Sequence, residues 1–355
     1  MIALTMQLHR MQLPREVVVG NETLPLLGEI CKRLGFCDSA LIVTGPDTRN
    51  VAGRRVIDLL DDKGMDVDYL VVNSSTLWEV RAVEERIKEF NPQVVLGVGG
   101  GTKIDVAKLS STNQGLPFMS IPTTASHDGI ASPLVAVKGL KKPYSVMAQS
   151  PMAIVADTDI IINSDYRFTA SGCGDLVSKF TSVRDWELAY KAKNEYYGEY
   201  AASLALMSAR LITKNADIIK PGAEEGLRLV LEGLISCGVA MSIAGSSRPC
   251  SGSEHLFSHA LDLIERNGSL HGEQCGVGTI MMAYLYNLDW KAIKDTLQKT
   301  GAPTTAEELG VEPQSVVEAL MKACTIRPER YTILDEKKLD HDSAKKLAKV
   351  TGVIS

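Results

Sequence analysis

Three histidines lie close together in the second half of the chain and could hold a metal ion. His255 and His259 are four residues apart, so a helix would place both imidazoles on one face. His271 follows after a glycine-containing break, and Asp175 stands farther upstream in a Gly-Cys-Gly-Asp segment. One carboxylate and two imidazoles leave a coordination position open, which a catalytic zinc requires. Ferrous iron accepts the same ligand types, so the residues alone do not choose the metal.

Alternatives for the ligand set stay open at this point. The His-x-x-x-His spacing would let His255 and His259 bind the same ion, as in helix-borne zinc sites. Cys173 and Cys275 are further candidate ligands, although buried thiols are more often inert. Each histidine taken alone is more simply an ordinary core or surface residue. The clustering of the three is what favours a site.

Glu254 and Glu273 stand beside the histidines and are candidates for orienting them through hydrogen bonds.

A glycine-rich segment, Gly99-Gly100-Gly101-Thr102-Lys103, follows an apolar run and opens a helical pattern. Glycines at such a turn let backbone N–H groups approach a phosphate, and the helix N-terminus favours negative charge. The segment lacks the GxGxxG fingerprint, because Thr102 replaces the last glycine, and Ile104 excludes a Walker A loop. The glycines are still more numerous than a tight turn requires. We therefore expect this segment to bind a phosphate or a dinucleotide.

A second polar segment, Thr123-Thr124-Ala125-Ser126-His127-Asp128, follows the next apolar run. Open α/β sheets bind ligands at the carboxyl ends of their strands, and hydroxyl groups there can contact a cofactor. Asp128 is the charged residue expected nearest to that crevice. A helix cap or turn made of small polar residues is the alternative interpretation.

Short apolar runs alternate with amphipathic segments over the first 160 residues. Alternation at this spacing predicts βαβ units in a Rossmann-like, doubly wound, mainly parallel sheet. The predicted strands are 17–20, 41–44, 68–72, 93–98, 117–121 and 152–156, with a hairpin from 134–137 and 144–147. Beyond residue 165 the pattern is helical, with helices expected over 175–196, 199–219, 224–244, 254–264 and 277–288. We therefore predict an α/β dinucleotide-binding domain at 1–160 and an all-α metal- and substrate-binding domain at 161–355.

Composition excludes several classes of protein. The 355 residues include 38 Lys plus Arg against 43 Asp plus Glu, a net charge of −5, which argues against a nucleic-acid partner. No uninterrupted apolar run approaches the roughly 20 residues of a membrane span, so no membrane insertion is expected. The N-terminus has no clear signal-peptide cleavage site. Seven scattered cysteines without a Cys-x-x-Cys pair indicate reduced thiols in the cytoplasm. Apolar faces on the predicted helices favour a homo-oligomer.

Together these segments resemble the iron-type alcohol dehydrogenase and dehydroquinate synthase superfamily. The resemblance covers nearly the whole chain. It is carried by the triple glycine after a strand, Thr-Thr-x-Ser, Gly-Asp, His-x-x-x-His and His-Gly-Glu. Two longer segments, 123–133 and 246–255, are most similar to the sn-glycerol-1-phosphate dehydrogenase family. The resemblance implies a dehydroquinate synthase-like fold and a reversible, NAD(P)H-linked reduction of dihydroxyacetone phosphate to sn-glycerol 1-phosphate, the backbone of ether lipids.

The resemblance also implies roles for individual residues. Asp175, His255 and His271 match the metal ligands, which resolves the His-x-x-x-His ambiguity, and zinc is expected with iron as the alternative. His259, Asp128 and Asp175 match positions beside the substrate and are the expected catalytic groups. His259 is the candidate for relaying a proton, because an ordinary imidazole pKa of about 6.5 suits neutral pH. The expected cofactor-binding residues are Gly99, Gly100, Gly101, Thr102, Lys103, Asp105, Thr123, Thr124, Ser126, Ser132 and Asp47.

One departure from the family concerns the choice of cofactor. Relatives with strict NAD preference often carry an acidic residue directly after the second strand. Here Gly45 stands at that place, followed by Pro46 and Asp47. Gly45 leaves room for the extra phosphate of NADPH, whereas Asp47 would favour NAD if it reaches the ribose. We expect both cofactors to be used.

The substrate phosphate requires a cation or several N–H donors, and Arg248 and Lys179 are the candidates. Each could equally be an ordinary surface charge. The competing functions are a glycerol dehydrogenase acting on the unphosphorylated substrate, a dehydroquinate-synthase-like lyase, and a non-catalytic binding protein on the same scaffold. Asp175 argues against the lyase, whose metal site resembles one Glu with two His. The intact ligand set argues against the binding protein.

Overall fold

A six-stranded parallel sheet occupies the first part of the chain. The computed structural model of the chain describes residues 11–137, 145–265 and 268–355. The strands are β1 (Glu16–Gly20), β2 (Ser39–Thr44), β3 (Asp66–Val71), β4 (Val94–Gly99), β5 (Phe118–Pro122), β6 (Leu134–Val135), β7 (Val146–Met147) and β8 (Ala153–Asp157). Six of them form one sheet in the order β1-β8-β5-β4-β2-β3, with every neighbouring pair parallel. The predicted strands and sheet type are confirmed.

The short strands β6 and β7 form the predicted hairpin, paired antiparallel. The turn expected at its tip lies outside the described residues.

The remaining elements are mainly helical. The helices are α1 (Leu27–Leu34), α2 (Pro46–Thr48), α3 (Arg54–Asp61), α4 (Leu77–Phe90), α5 (Gly101–Asn113), α6 (Thr158–Ile161), α7 (Tyr166–Val177), α8 (Lys179–Lys193), α9 (Glu199–Lys214), α10 (Glu224–Ala244), α11 (Ser253–Ile264), α12 (His271–Leu285), α13 (Trp290–Lys299), α14 (Ala306–Leu309), α15 (Pro313–Ile326), α16 (Ile333–Lys337) and α17 (His341–Val350). After Asp157 the described residues contain no further strand, which confirms the all-α second part. The domain boundary near residue 160 stays a prediction.

The predicted first residue of the helix over 175–196 was wrong. The sequence pattern placed Asp175 at the beginning of a helix that runs to residue 196, but Asp175 lies near the end of α7, and a new helix begins at Lys179. Glycines at 172 and 174 obscured the helical pattern before Asp175, since glycine is a poor helix former. Because these glycines lack side chains, α7 packs closely against neighbouring backbone atoms at both positions.

The order of the strands locates the ligand-binding crevice. From β2 the chain moves outward to β3 and then returns across β2 to β4, so the direction of strand addition reverses between β2 and β4. In open parallel sheets such a reversal leaves a crevice at the carboxyl ends of the two strands. Thr44 ends β2 and Gly99 ends β4, so the glycine-rich segment lies at this crevice.

Two apolar cores cover the two faces of the sheet. The smaller core packs α1 and α3 against one face. The larger core is continuous from Val95 and Phe118 in the sheet to Leu176, Leu234 and Ile280 in the later helices. The helices that carry the candidate metal ligands are therefore packed directly against the sheet.

One helix, α10, is long and apolar enough to cross a membrane by length and composition. Its most apolar window has a mean hydropathy of 1.7, although the sequence has no uninterrupted apolar run of this length. However, 72% of that window is buried inside the fold, which is typical of a core helix.

Candidate active site

Three helices bring Asp175, His255 and His271 to one place. Asp175 lies near the end of α7, His255 lies in the first turn of α11, and His271 is the first residue of α12. The Nε2 atom of His255 is 3.7 Å from Oδ1 of Asp175. The ring centroids of His255 and His271 are 4.9 Å apart. The three side chains therefore converge on a common space.

Glycines allow α7 and α12 to approach each other closely. A Cβ atom on Gly272 would lie 2.0 Å from the carbonyl oxygen of Ser171, and one on Gly174 would lie 2.2 Å from the carbonyl oxygen of Gly272. Both obstacles are backbone atoms of packed helices, which cannot rotate aside as a flexible side chain can. The absence of side chains therefore fixes the distance between the helix of Asp175 and the helix that begins at His271.

The same helix α7 also contacts the segment that follows β5. A Cβ atom on Gly172 would lie 2.1 Å from the carbonyl oxygen of Ala125. The backbone N–H of Asp128 donates to Oδ2 of Asp175 over 2.8 Å. Main-chain contacts thus join the candidate metal ligands to the ligand-binding edge of the sheet.

Hydrogen bonds orient both imidazoles from behind. Nδ1 of His255 is 2.8 Å from Oε1 of Glu254, so its Nε2 faces Asp175. Nδ1 of His271 is 3.2 Å from the hydroxyl oxygen of Ser258. Contacts of this kind fix the tautomer and the ring direction of metal-binding histidines. Ser258 was missed in the sequence, although it follows His255 by three residues and so shares its helix face.

Glu273 does not have the orienting role expected for it. Its carboxylate accepts hydrogen bonds from Nε and Nη2 of Arg167 at 2.6 and 2.7 Å and from the backbone N–H of Leu270 at 2.7 Å. It therefore caps the start of α12 instead of contacting His271.

Of the two candidate thiol ligands, only Cys275 lies next to the candidate imidazoles. Its sulfur is 3.6 Å from Nε2 of His271, and the donor atoms of His255, His271 and Cys275 lie within 4.8 Å of one another. Burial raises the pKa of Cys275 well above its ordinary value. Burial likewise raises the pKa of Cys173 to about 12. Both thiols are therefore neutral at physiological pH unless a metal displaces the proton, and Cys275 stays an alternative ligand.

A fully buried lysine joins Asp128 to Asp175. Nζ of Lys179 is 2.7 Å from Oδ1 of Asp175 and 2.9 Å from Oδ2 of Asp128, and it donates to the carbonyl oxygen of Cys250 over 3.2 Å. Burial alone would raise the pKa of Asp175, but the Lys179 ammonium and the nearby imidazoles lower it below its usual range. The pKa of Asp128 is raised, first by burial and then by the charge of Asp175. The proposal of Lys179 as a phosphate-binding cation needs correction, because two carboxylates already occupy its ammonium.

His259 lies one turn along α11 from His255. Its ring stacks on that of His271 with centroids 5.9 Å apart. Burial, the neighbouring imidazoles of His271 and His255, and two nearby arginines lower the pKa of His259 well below its ordinary value. The expectation of an ordinary imidazole pKa for His259 was wrong, and its ring is neutral at pH 7.

The glycine-rich turn joins β4 to α5 at the crevice. Gly99 has φ of +151°, a conformation that side chains disfavour, and Gly100 caps the helix. The backbone N–H of Thr123 donates to the carbonyl oxygen of Gly99 over 3.1 Å. The two polar segments predicted from the sequence are therefore adjacent. The first N–H groups of α5 lack partners within the helix and suit a phosphate group.

Lys103 extends from α5 to the end of β2. A Cβ atom on Gly45 would lie 2.3 Å from Cε and 3.2 Å from Nζ of Lys103. The lysine thus fills the space that Gly45 leaves open. Burial lowers the pKa of Lys103, and the charges of Asp47 and Glu79 oppose that change. Asp47 itself is exposed on α2.

Asp105 was expected to contact the cofactor, but its carboxylate is used inside the fold. It is buried in α5, and its Oδ2 accepts a hydrogen bond from the backbone N–H of Ala136 over 2.9 Å. This contact holds the hairpin against α5, and Oδ1 of Asp105 lies 3.8 Å from Nζ of the buried Lys108. Ser126 and Ser132 are also buried, and the hydroxyl of Ser132 lies 3.4 Å from the carbonyl oxygen of Leu134.

Arg248 is neither a surface charge nor a free cation. It is 4% exposed, its Nε and Nη2 bind the carboxylate of Glu195, and its Nη1 donates to the carbonyl oxygen of Tyr331 over 3.0 Å. Because Glu195 neutralises its charge, the expectation that Arg248 binds the substrate phosphate is corrected as well.

Comparison with known proteins gives close relatives along the whole chain. A glycerol-1-phosphate dehydrogenase [NAD(P)+] of Pyrococcus furiosus is 52% identical over 98% of this chain and 100% of that protein. One of Methanosarcina mazei is 53% identical over 97% of each chain. The model of the iron-containing alcohol dehydrogenase family matches residues 18–164.

Solved structures share the fold at lower identity. A glycerol dehydrogenase from Schizosaccharomyces pombe superposes with a TM-score of 0.81 at 22% identity, covering 97% of this chain and 90% of that one. Sulfoacetaldehyde reductase from Bifidobacterium kashiwanohense, solved in complex with NAD+, gives 0.74 at 19% identity, covering 98% and 100%.

Proposed function

The chain belongs to the glycerol-1-phosphate dehydrogenase family of NAD(P)-dependent oxidoreductases, and from this premise we propose that it reduces dihydroxyacetone phosphate to sn-glycerol 1-phosphate at the site described above. The resemblance predicted from the sequence is thereby confirmed. Identity above 50% over nearly the full length is the observation that carries the proposed reaction. The likeness to glycerol dehydrogenase is 22% identical and concerns the fold.

We propose Asp175, His255 and His271 as the ligands of a divalent metal, with zinc as the preferred ion and iron as the alternative. The donor set suits such an ion, because it combines a carboxylate whose pKa is lowered with two imidazoles whose pKa values lie at about 3. All three are therefore unprotonated at neutral pH. When bound, a divalent ion would polarise the ketone oxygen and stabilise the negative charge that develops on it.

Proton transfer falls to residues around that oxygen. Because His259 is neutral, it cannot act as a charged acid, but a neutral ring donates through one nitrogen while the other accepts from water. We therefore propose His259 as a relay. Asp128 and Asp175, linked by Lys179, hold the hydroxyl groups of the substrate.

The cofactor occupies the crevice between β2 and β4 in this proposal. Nicotinamide supplies the hydride. The turn of Gly99, Gly100 and Gly101 contacts the pyrophosphate, and Thr123 and Thr124 lie along the cofactor beside that turn. The ammonium of Lys103, beside Gly45, suits the 2′-phosphate of NADPH, so both cofactors are used.

Replacing Gly45 with aspartate is expected to shift the preference toward NADH by about tenfold or more, since the new carboxylate would repel the 2′-phosphate and pair with Lys103. The variant should fold, because the atom in its way is Cε of a flexible lysine. Asp47→Asn is the opposite test and should shift the preference toward NADPH. Michaelis constants for both cofactors measure the effects. If the ratio of the Michaelis constants for NADH and NADPH is unchanged in both variants, Lys103 does not bind the 2′-phosphate.

Zinc affinity is expected to change little between pH 7 and pH 5. Burial, together with nearby positive charge, lowers the pKa values of His255 and His271 to about 3, so protons compete with the metal only below that range. Imidazoles with an ordinary pKa of about 6.5 would instead lose roughly 600-fold in affinity over this interval. Equilibrium dialysis against buffered free zinc at the two pH values distinguishes the cases.

The function itself is tested by following the oxidation of NADH and NADPH with dihydroxyacetone phosphate and with dihydroxyacetone. The expected result is a strong preference for the phosphorylated ketone, lost on chelation and restored by zinc. Equal or faster turnover of dihydroxyacetone would assign the chain to the glycerol dehydrogenases instead. A cytoplasmic location and a homo-oligomeric state stay predictions.

A further inference from the structure

A buried arginine near the candidate catalytic histidines lacks an acidic partner. Arg330 is 6% exposed, and it follows α15 in a segment that packs beside α11. Its Nη1 donates to the carbonyl oxygen of Ser251 over 2.5 Å, and its Nη2 donates to the hydroxyl of Ser247 over 2.6 Å. Both partners are neutral. Across the described ranges, no carboxylate lies within ion-pair distance of Arg330.

Two neighbouring arginines differ from it in this respect. Arg248 binds Glu195, and Nε of Arg327 is 3.3 Å from Oε1 of Glu329. Burying a guanidinium without a counter-charge is costly, and an anion that binds beside it removes that cost. Burial and the charges of Arg327 and Arg248 lower the pKa of Arg330 to about 9, and the charges of Glu195 and Glu254 oppose that change from beyond ion-pair distance.

The position of Arg330 relates it to the reacting centre. Arg330 donates hydrogen bonds to the loop 247–251, including one to the carbonyl oxygen of Ser251. Lys179 donates to the carbonyl oxygen of Cys250 in the same loop. Burial is the main cause of the lowered pKa values of His255 and His259, and the charge of Arg330 contributes to both. Arg330 therefore contacts the residue next to the one that Lys179 contacts, and Lys179 in turn binds Asp175, a candidate metal ligand.

We propose that Arg330 binds the phosphate group of the substrate and so determines the preference for a phosphorylated ketone. This inference rests on the proposed function. In dihydroxyacetone phosphate only three bonds separate the carbonyl carbon from phosphorus, so a carbonyl beside His255 and His271 brings the phosphate into their immediate neighbourhood. A guanidinium can bind two oxygens of a phosphate through two parallel hydrogen bonds. Lys179 and Arg248 are not available for this role, because each already binds a carboxylate.

The test compares zinc-loaded wild type with Arg330→Gln and Arg330→Lys, using dihydroxyacetone phosphate and dihydroxyacetone as substrates. Arg330→Gln is expected to raise the KM for the phosphorylated ketone about 100-fold and to reduce the preference for it by a similar factor. Arg330→Lys, which keeps the charge but loses the fork, should reduce the preference about tenfold. Arg184→Gln is the control, because Arg184 is a half-exposed arginine on α8 that pairs with Glu187, and the variant should retain the wild-type preference.

The outcomes separate this inference from the proposed function. If wild type prefers dihydroxyacetone phosphate and both Arg330 variants keep that preference, Arg330 is a structural residue and the inference is wrong. If wild type has no such preference, the proposed function itself fails. Should Arg330→Gln not fold, the Lys variant decides alone. As a second readout, inorganic phosphite should activate the turnover of dihydroxyacetone by wild type, and about tenfold less by the Lys variant. Equal activation of both would overturn the inference.

Discussion

A His271→Ala variant is expected to lose its bound zinc and to lower kcat/KM for dihydroxyacetone phosphate by roughly 5,000-fold. The reason is that His271 supplies one of three proposed metal ligands, and the metal stabilises the developing alkoxide by about 5 kcal/mol. The ring centroid of His271 lies 4.9 Å from that of His255, so the substitution removes one of the two imidazoles that converge with Asp175. Elemental analysis and steady-state kinetics on the same preparation measure both effects.

His259→Asn is the informative companion, because the spacing of His255 and His259 left two ligand sets open. If His259 relays a proton, the asparagine variant keeps its zinc and loses about 100-fold in kcat. Loss of zinc in His259→Asn, with zinc retained in His271→Ala, would mean that the ligand pair is His255 with His259. His341→Ala provides the control, since that side chain is 49% exposed at the start of α17 and should change neither quantity.

Among glycine-to-alanine substitutions in the site, Gly272→Ala is expected to lower stability and zinc affinity the most. The added Cβ would lie 2.0 Å from the carbonyl oxygen of Ser171, so α7 and α12 must separate. Overpacking of this kind costs about 3 kcal/mol, which lowers the unfolding midpoint by about 5 °C, and the separation also pulls His271 away from Asp175. Calorimetry and zinc titration should both show the change.

Gly268→Ala is the matched control for that substitution. Gly268 lies shortly before His271 in the chain, and a Cβ placed there would meet no atom within 4 Å. It should therefore leave stability and zinc binding as in wild type. Wild-type zinc affinity in Gly272→Ala would contradict the idea that this helix contact sets the metal geometry.

Local patterns in the sequence predicted much of the fold and of the candidate site. The strands β2, β4 and β5 are short and largely apolar, since both faces of the sheet are covered there. Position along the chain then placed Gly99 and Thr123 at one edge, because parallel strands share their carboxyl ends. His255 and His271 were found because their residue types are rare and clustered.

Features that depend on contacts between distant segments could not be predicted in this way. Lys179 looked available from its spacing, but its ammonium is enclosed between Asp128 and Asp175, which come from different elements. The low pKa of His259 depends partly on Arg327 and Arg330, and nothing near His259 in the sequence indicates them. Gly172 and Gly174 obscured the helix that precedes Asp175, because composition alone does not reveal which backbone atoms they face.

The main-chain contact between α7, α12 and the segment after β5 has a consequence for how such a protein can change over evolution. Backbone packing at Gly172 and Gly272 sets the positions of the candidate metal ligands. The side chains that would contact the phosphate end of the substrate do not set them. A residue such as Arg330, the proposed phosphate-binding group, can therefore change without moving the helices that carry the candidate metal ligands. For an engineer, the loop 247–251 and the segment after α15 are the places to diversify, and the buried glycines are the places to leave alone.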